Sequence, residues 1–256
     1  METSIGIKAQ LKDLFNTWID FSKKNHEPVD DTPEHNIIFT RDGIVEKADK
    51  SIDVIKGWEH SDKRIAFLLK DQNTMYPDDL TKTWIKDEKF RELIPTSNNF
   101  FPKLAFAFWA LKKCNKGNVE DFVSPSYNSN FKDIKDLWNN EAFALIETKK
   151  QGGGPDIKDA VLKTYLNRYG DLLSRELDIL KPNIIVCCGQ EIYNFIINSY
   201  FKGTELLSIP KFNSVRIDPR KKTVILCSYH PSKPMSIENF YSGIMNHYIA
   251  YLKLNI

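Results

Sequence analysis

The chain has 256 residues, 41% of them hydrophobic, and its 36 Lys and Arg nearly balance 34 Asp and Glu, for a net charge of +2. That apolar share supplies a core for one large domain or two small ones and argues against a disordered chain. The charge balance excludes a polybasic chain that holds nucleic acid through bulk charge, though not one with a local basic strip.

No apolar run approaches the roughly 20 residues that span a bilayer. The opening residues lack an apolar stretch behind a basic start, so no signal peptide is read and a cytosolic protein, away from membranes, is expected.

In chain order, residues 5–24 predict an amphipathic helix, with Leu11, Leu14, Phe15, Trp18 and Phe21 at helical spacing. A polar, proline-containing link follows over residues 26–33. Residues 1–35 therefore read as a helical extension and residues 36–256 as the main domain. Residues 37–45 set the pair Asp42-Gly43, a turn signal, between two short apolar pieces. A second helix is expected over residues 50–59.

Four short apolar runs then recur: RIAFLL (64–69), AFALIET (142–148), NIIVCCG (183–189) and TVILCS (223–228). Their apolar character is continuous rather than alternating, which suits strands buried on both faces of a parallel sheet. Helical patterns fill residues 98–113, 157–180, 190–200 and 236–254. This alternation predicts right-handed crossovers and a three-layer α/β/α fold around a four-stranded parallel sheet. In such sheets ligands bind beyond the carboxyl ends of the strands.

The four cysteines, Cys114, Cys187, Cys188 and Cys227, form no C-x-x-C pair, and no His stands at zinc-ligand spacing from any of them. They read as small buried hydrophobes, with no metal and no cofactor expected.

Polar and glycine-rich sequence follows each run. After the first come Asp71, Asn73 and Tyr76, where Asp71 and Asn73 could simply close an Asx-turn. After the second come Lys149, Lys150 and Gly152–Gly154, either a flexible connection or a nest of backbone amides for a phosphate. Gly189 and Gln190 follow the third run, as a strand-to-helix turn. His230, Pro231 and Ser232 follow the fourth. The other histidines lie in polar links or helices, whereas His230 sits at a strand end in a loop fixed by Pro231. There is no G-K-[ST] ending, no G-x-G-x-x-G and no G-x-S-x-G, so nucleotide-triphosphate, dinucleotide and nucleophile-elbow chemistries are poor readings.

Strand, H-P-S (230–232) and closing helix together resemble the last motif of the uracil-DNA glycosylase superfamily. KPNIIVCCGQEI (181–192), RIAFLLKDQN (64–73) and IETKKQGGG (146–154) are similar, in order and spacing, to its third-, first- and second-strand motifs.

The resemblance implies a parallel sheet in the order second, first, third, fourth run. It also implies hydrolysis of the N-glycosidic bond of a base flipped out of DNA, as in base-excision repair. Asp71 or Asn73 would position water, and His230 would donate to the oxyanion forming on the base. Glu147 would face the base edge, with Tyr76 or Phe100 stacking on it unless these are core residues. Lys149, Lys150, Gly152, Gly153 and Ser232 would hold phosphates, making DNA binding salt-sensitive. DNA, single- or double-stranded, is the expected partner and a monomer the expected state.

The family reads the base with Asn where this chain has Glu147. Taken as ionised, Glu147 only accepts hydrogen bonds, which predicts weak or absent action on uracil. It also keeps open a non-enzymatic protein of the same fold that binds nucleic acid or a base.

Overall fold

The computed structural model describes residues 6–25, 39–71, 78–152 and 157–254. The predicted amphipathic helix is α1 (Ile7–Lys24), and it is followed by β1 (Thr40–Arg41), β2 (Gly43–Ile44) and α2 (Val54–Glu59). Next come β3 (Ile65–Asp71), β4 (Asp78–Asp79), α3 (Leu80–Lys86), α4 (Glu88–Glu92), α5 (Phe100–Lys113) and α6 (Phe131–Asn140). The second half runs β5 (Ala144–Lys149), α7 (Asp159–Leu180), β6 (Ile184–Cys188), α8 (Gln190–Phe195), β7 (Leu207–Ile209), β8 (Phe212–Asp218), β9 (Thr223–Ser228) and α9 (Ile237–Leu252). A π-helical stretch, Ile196–Tyr200, extends α8.

The four apolar runs are β3, β5, β6 and β9. They lie side by side and parallel in the order β5-β3-β6-β9. They are not the whole sheet. It has seven strands in the order β2-β5-β3-β6-β9-β8-β7, and β2, β8 and β7 each pair antiparallel with a neighbour. The expectation of a four-stranded, wholly parallel sheet is thus corrected to a mixed one. The flanking strands escape a search for continuous apolar runs because they are short or half-exposed. In β8 only Val215, Ile217 and Asp218 are buried. Between β7 and β8 the pairing register shifts at Ser208 and Ile209.

Strand periodicity splits the interior in two. Phe67, Leu69, Leu145, Val186 and Leu226 face the layer of α5, α6 and α9. Leu68, Ile146, Ile185, Cys187 and Ile225 face α1, α7 and α8. The first helix, expected as an extension, is built into this second core. Trp18 is fully buried, its indole N–H donates to the Tyr165 hydroxyl at 3.1 Å, and its ring stacks on Tyr169.

Lys103 apart, helix α5 from Pro102 to Leu111 is apolar around its circumference and buried throughout, as befits a helix covered on all sides. Phe21, placed on the apolar face of the first helix by its spacing, lies outward instead and is exposed. The Asp42-Gly43 pair is the one read as a turn between two short apolar pieces. Gly43 takes a φ of 118°, but Asp42 is buried. Among the described residues no helix is long and apolar enough to cross a membrane.

Candidate functional site

The same periodicity decides which polar side chains meet at the strand ends. In β3, Asp71 continues the row Ile65–Phe67–Leu69; in β5, Glu147 and Lys149 continue Phe143–Leu145. The register Leu69↔Glu147 and Asp71↔Lys149 puts all three on the face that packs under α5 and α9. His230–Ser232 leaves the end of β9, two strands from β3 and three from β5. Asp71, Glu147, His230, Ser232 and Phe100 line one cleft of about 1050 Å³. Phe100 opens α5 and presents its ring edgewise to His230, with centroids 5.8 Å apart.

The His230 loop is held from below. The Ser232 backbone N–H donates to His230 Nδ1 at 3.3 Å. In a neutral imidazole that leaves the proton on Nε2, making Nε2 the donor. Lys103, fully buried in α5, donates to the carbonyls of Pro231 at 2.9 Å and Lys233 at 2.8 Å. Burial lowers its pKa. Helix α9 starts later than a phosphate role for Ser232 would need, since its cap is Ser236, which accepts from the Asn239 N–H. Ser232 is exposed and its amide serves His230.

Glu147 is buried, and its Oε2 makes no hydrogen bond among the described residues. Burial raises its pKa well above the usual carboxyl range. The Asp42 and Asp71 carboxylates raise it further, against partial relief from Lys150 and Lys149. Lys149 Nζ stands 3.7 Å from Asp71 Oδ2 and donates to the carbonyls of Gln151 and Gly152. It is thus a clamp on its own loop, and Gly152 turns its carbonyl toward it.

Lys150 is a correction. One residue on from Lys149, it points to the opposite face and is completely buried, 2.5 Å from Asp42 and 2.8 Å from Glu176. The rings of Phe15 and Trp18 lie within 5.5 Å of its Nζ. It cannot reach a phosphate in the folded protein. Asn73, Tyr76 and Gly153 lie outside the described residues.

Sequence reasoning passed over Lys70 and Lys103. Lys70 lines the cleft and pairs with Asp159 at 2.9 Å. Its stem crosses Gly189, where a Cβ would sit 3.4 Å from Lys70 Cε; at a φ of 152° glycine is also the residue the backbone requires. The signal for Lys103 was present: a lone charge inside FFPKLAFAFWAL asks for buried acceptors. Among the described residues no cluster of His, Cys, Asp and Glu could hold a metal ion. No known protein family matches the sequence, and no relative is found among curated proteins.

Proposed function

We propose that this protein hydrolyses the N-glycosidic bond of a base turned out of DNA, the chemistry of the glycosylases its strand-end motifs resemble. One observation supports the reading above the others. Asp71, Glu147 and His230, from three separate strand ends, line a single cleft beside the ring of Phe100.

Breaking that bond builds positive charge on the sugar and negative charge on the departing base. Asp71, with Lys149 as its countercharge, stabilises the oxocarbenium-like sugar and orients the attacking water. His230 donates from Nε2 to the oxyanion growing on the base. Phe100 offers a ring for the base to lie against. Lys70, held by Asp159, and Lys233, over the Tyr229 ring, line the cleft and bring positive charge for a phosphate.

The test is single-turnover release of uracil, hypoxanthine and mismatched thymine from oligonucleotides. Asp71→Ala and His230→Ala should each slow release by about 10²–10⁴-fold. Wild-type protein that binds the oligonucleotides tightly and releases nothing would instead be a binding protein of this architecture.

A further inference from the structure

Glu147 stands where the expelled base would be read, and its surroundings decide what it can offer. It is 3% exposed, with Oε2 buried and making no hydrogen bond among the described residues. The groups that face it are mostly acidic. Asp42, from the segment between β1 and β2, accepts the Glu147 backbone N–H at 2.6 Å, and Asp71 lies on the adjoining strand β3. Cys188 on β6 brings no positive charge, and His230 lies across the cleft.

Both nearby lysines are committed elsewhere. Lys150 bridges Asp42 and Glu176, and Lys149 is tied to Asp71 and two loop carbonyls. An isolated carboxylate in such a place is costly, and a neutral acid is not.

Resting on the function proposed above, we propose that Glu147 reads the base as a neutral carboxylic acid. Its O–H donates to a ring carbonyl and its C=O accepts from the adjacent ring N–H. A protonated carboxyl offers one donor beside one acceptor, the same pair a carboxamide offers. The expectation drawn from an ionised Glu147, poor action on uracil, therefore falls away.

The leaving group favours the same state. As the bond breaks, charge flows into the base carbonyls, and an O–H donor there binds more tightly in the transition state than in the ground state. A carboxylate would repel it. The ligand class is a base with a lactam edge, of the uracil or thymine kind. A base with an amino group at that position could also pair with the acid, but has no carbonyl there to take up the charge.

The protonation state follows the local charges. Burial first, then Asp42 and Asp71, push the Glu147 carboxyl pKa well above its ordinary range, while Lys150 and Lys149 oppose them only in part. Base reading is accordingly present at lower pH and lost as pH rises through the raised pKa.

Infrared difference spectroscopy tests this without requiring turnover. At neutral pH the wild type should show a protonated-carboxyl C=O band that Glu147→Gln lacks. The wild-type band should shift on adding 1-methyluracil and stay put on adding 1,3-dimethyluracil, which has no N3–H. On a uracil oligonucleotide, wild-type release should fall about tenfold per pH unit above the Glu147 pKa, and the release that Glu147→Gln retains should lack that limb.

No such band, or a band indifferent to 1-methyluracil, overturns the inference even if the enzyme releases bases. A band that shifts with 1-methyluracil but accompanies no release from any oligonucleotide upholds it and sinks the hydrolase reading.

Discussion

Replacing Lys150 by methionine separates the two roles a lysine at this position could have. In the folded protein its ammonium lies between Asp42 and Glu176, with all three side chains fully buried. Methionine fills the space between Phe15 and Trp18 but leaves two carboxyls facing each other. These can share one proton, and one negative charge then stays buried without a countercharge. Removing one member of a buried ionic group costs about 3–5 kcal/mol.

For a chain of this size each kcal/mol lowers Tm by roughly 2–4 °C, so the expected drop is roughly 6–20 °C. Glu176→Gln is the control. It keeps an acceptor for Lys150 and a donor for Asp42, and should cost under about 1 kcal/mol because the burial that raises the Glu176 pKa already favours a neutral group there. Thermal unfolding followed by circular dichroism measures both variants. A Lys150→Met protein that melts with the wild type would refute the buried bridge. If its DNA binding had also lost about one counterion from the salt slope, Lys150 would be a phosphate contact after all.

Two further outcomes follow from the same charges and loops. Glu147 and Glu176 both hold their protons more firmly folded than unfolded, so the stability they confer is full below the unfolded carboxyl pKa and declines as pH rises toward the folded values. Each group contributes a slope of up to about 1.4 kcal/mol per pH unit, and urea unfolding should show Glu147→Gln gaining on wild type as pH rises; a constant difference between the two would contradict this. Lys103→Met leaves the Pro231 and Lys233 carbonyls without their buried donor, about 1–3 kcal/mol for each group left unsatisfied. Hydrogen exchange across residues 229–235 should accelerate in that variant, and unchanged protection would show the loop is held by something else.

The parallel strands were legible because a strand buried on both faces must be apolar throughout, and NIIVCCG and TVILCS leave little else to be. The β7–β8 hairpin was not, since Asn213, Ser214 and Arg216 break up its apolar pattern, and a half-exposed strand looks like loop. Positions beyond the strands were readable in the same way. His230 and Asp71 stand out at strand exits, where ligands gather in such sheets.

The opposite fates of Lys149 and Lys150 turn on a period of two, but only once the strand is known to run to Lys149. The state of Glu147 was beyond reach. After burial, the raised Glu147 pKa owes most to Asp42, which is 105 residues distant along the chain and read only as half of a turn.

The antiparallel flanks have a consequence for the protein at high concentration. An open parallel sheet ends in rows of unpaired amides and carbonyls, which can template a strand from another molecule. Here the two outermost strands are β2, of two residues, and β7, of three with a register break at Ser208 and Ile209. Such short and irregular edges give an incoming chain almost nothing to extend, which is how natural sheets resist edge-to-edge aggregation. The longer apolar strands β3, β6 and β9 lie inside the sheet, paired on both sides.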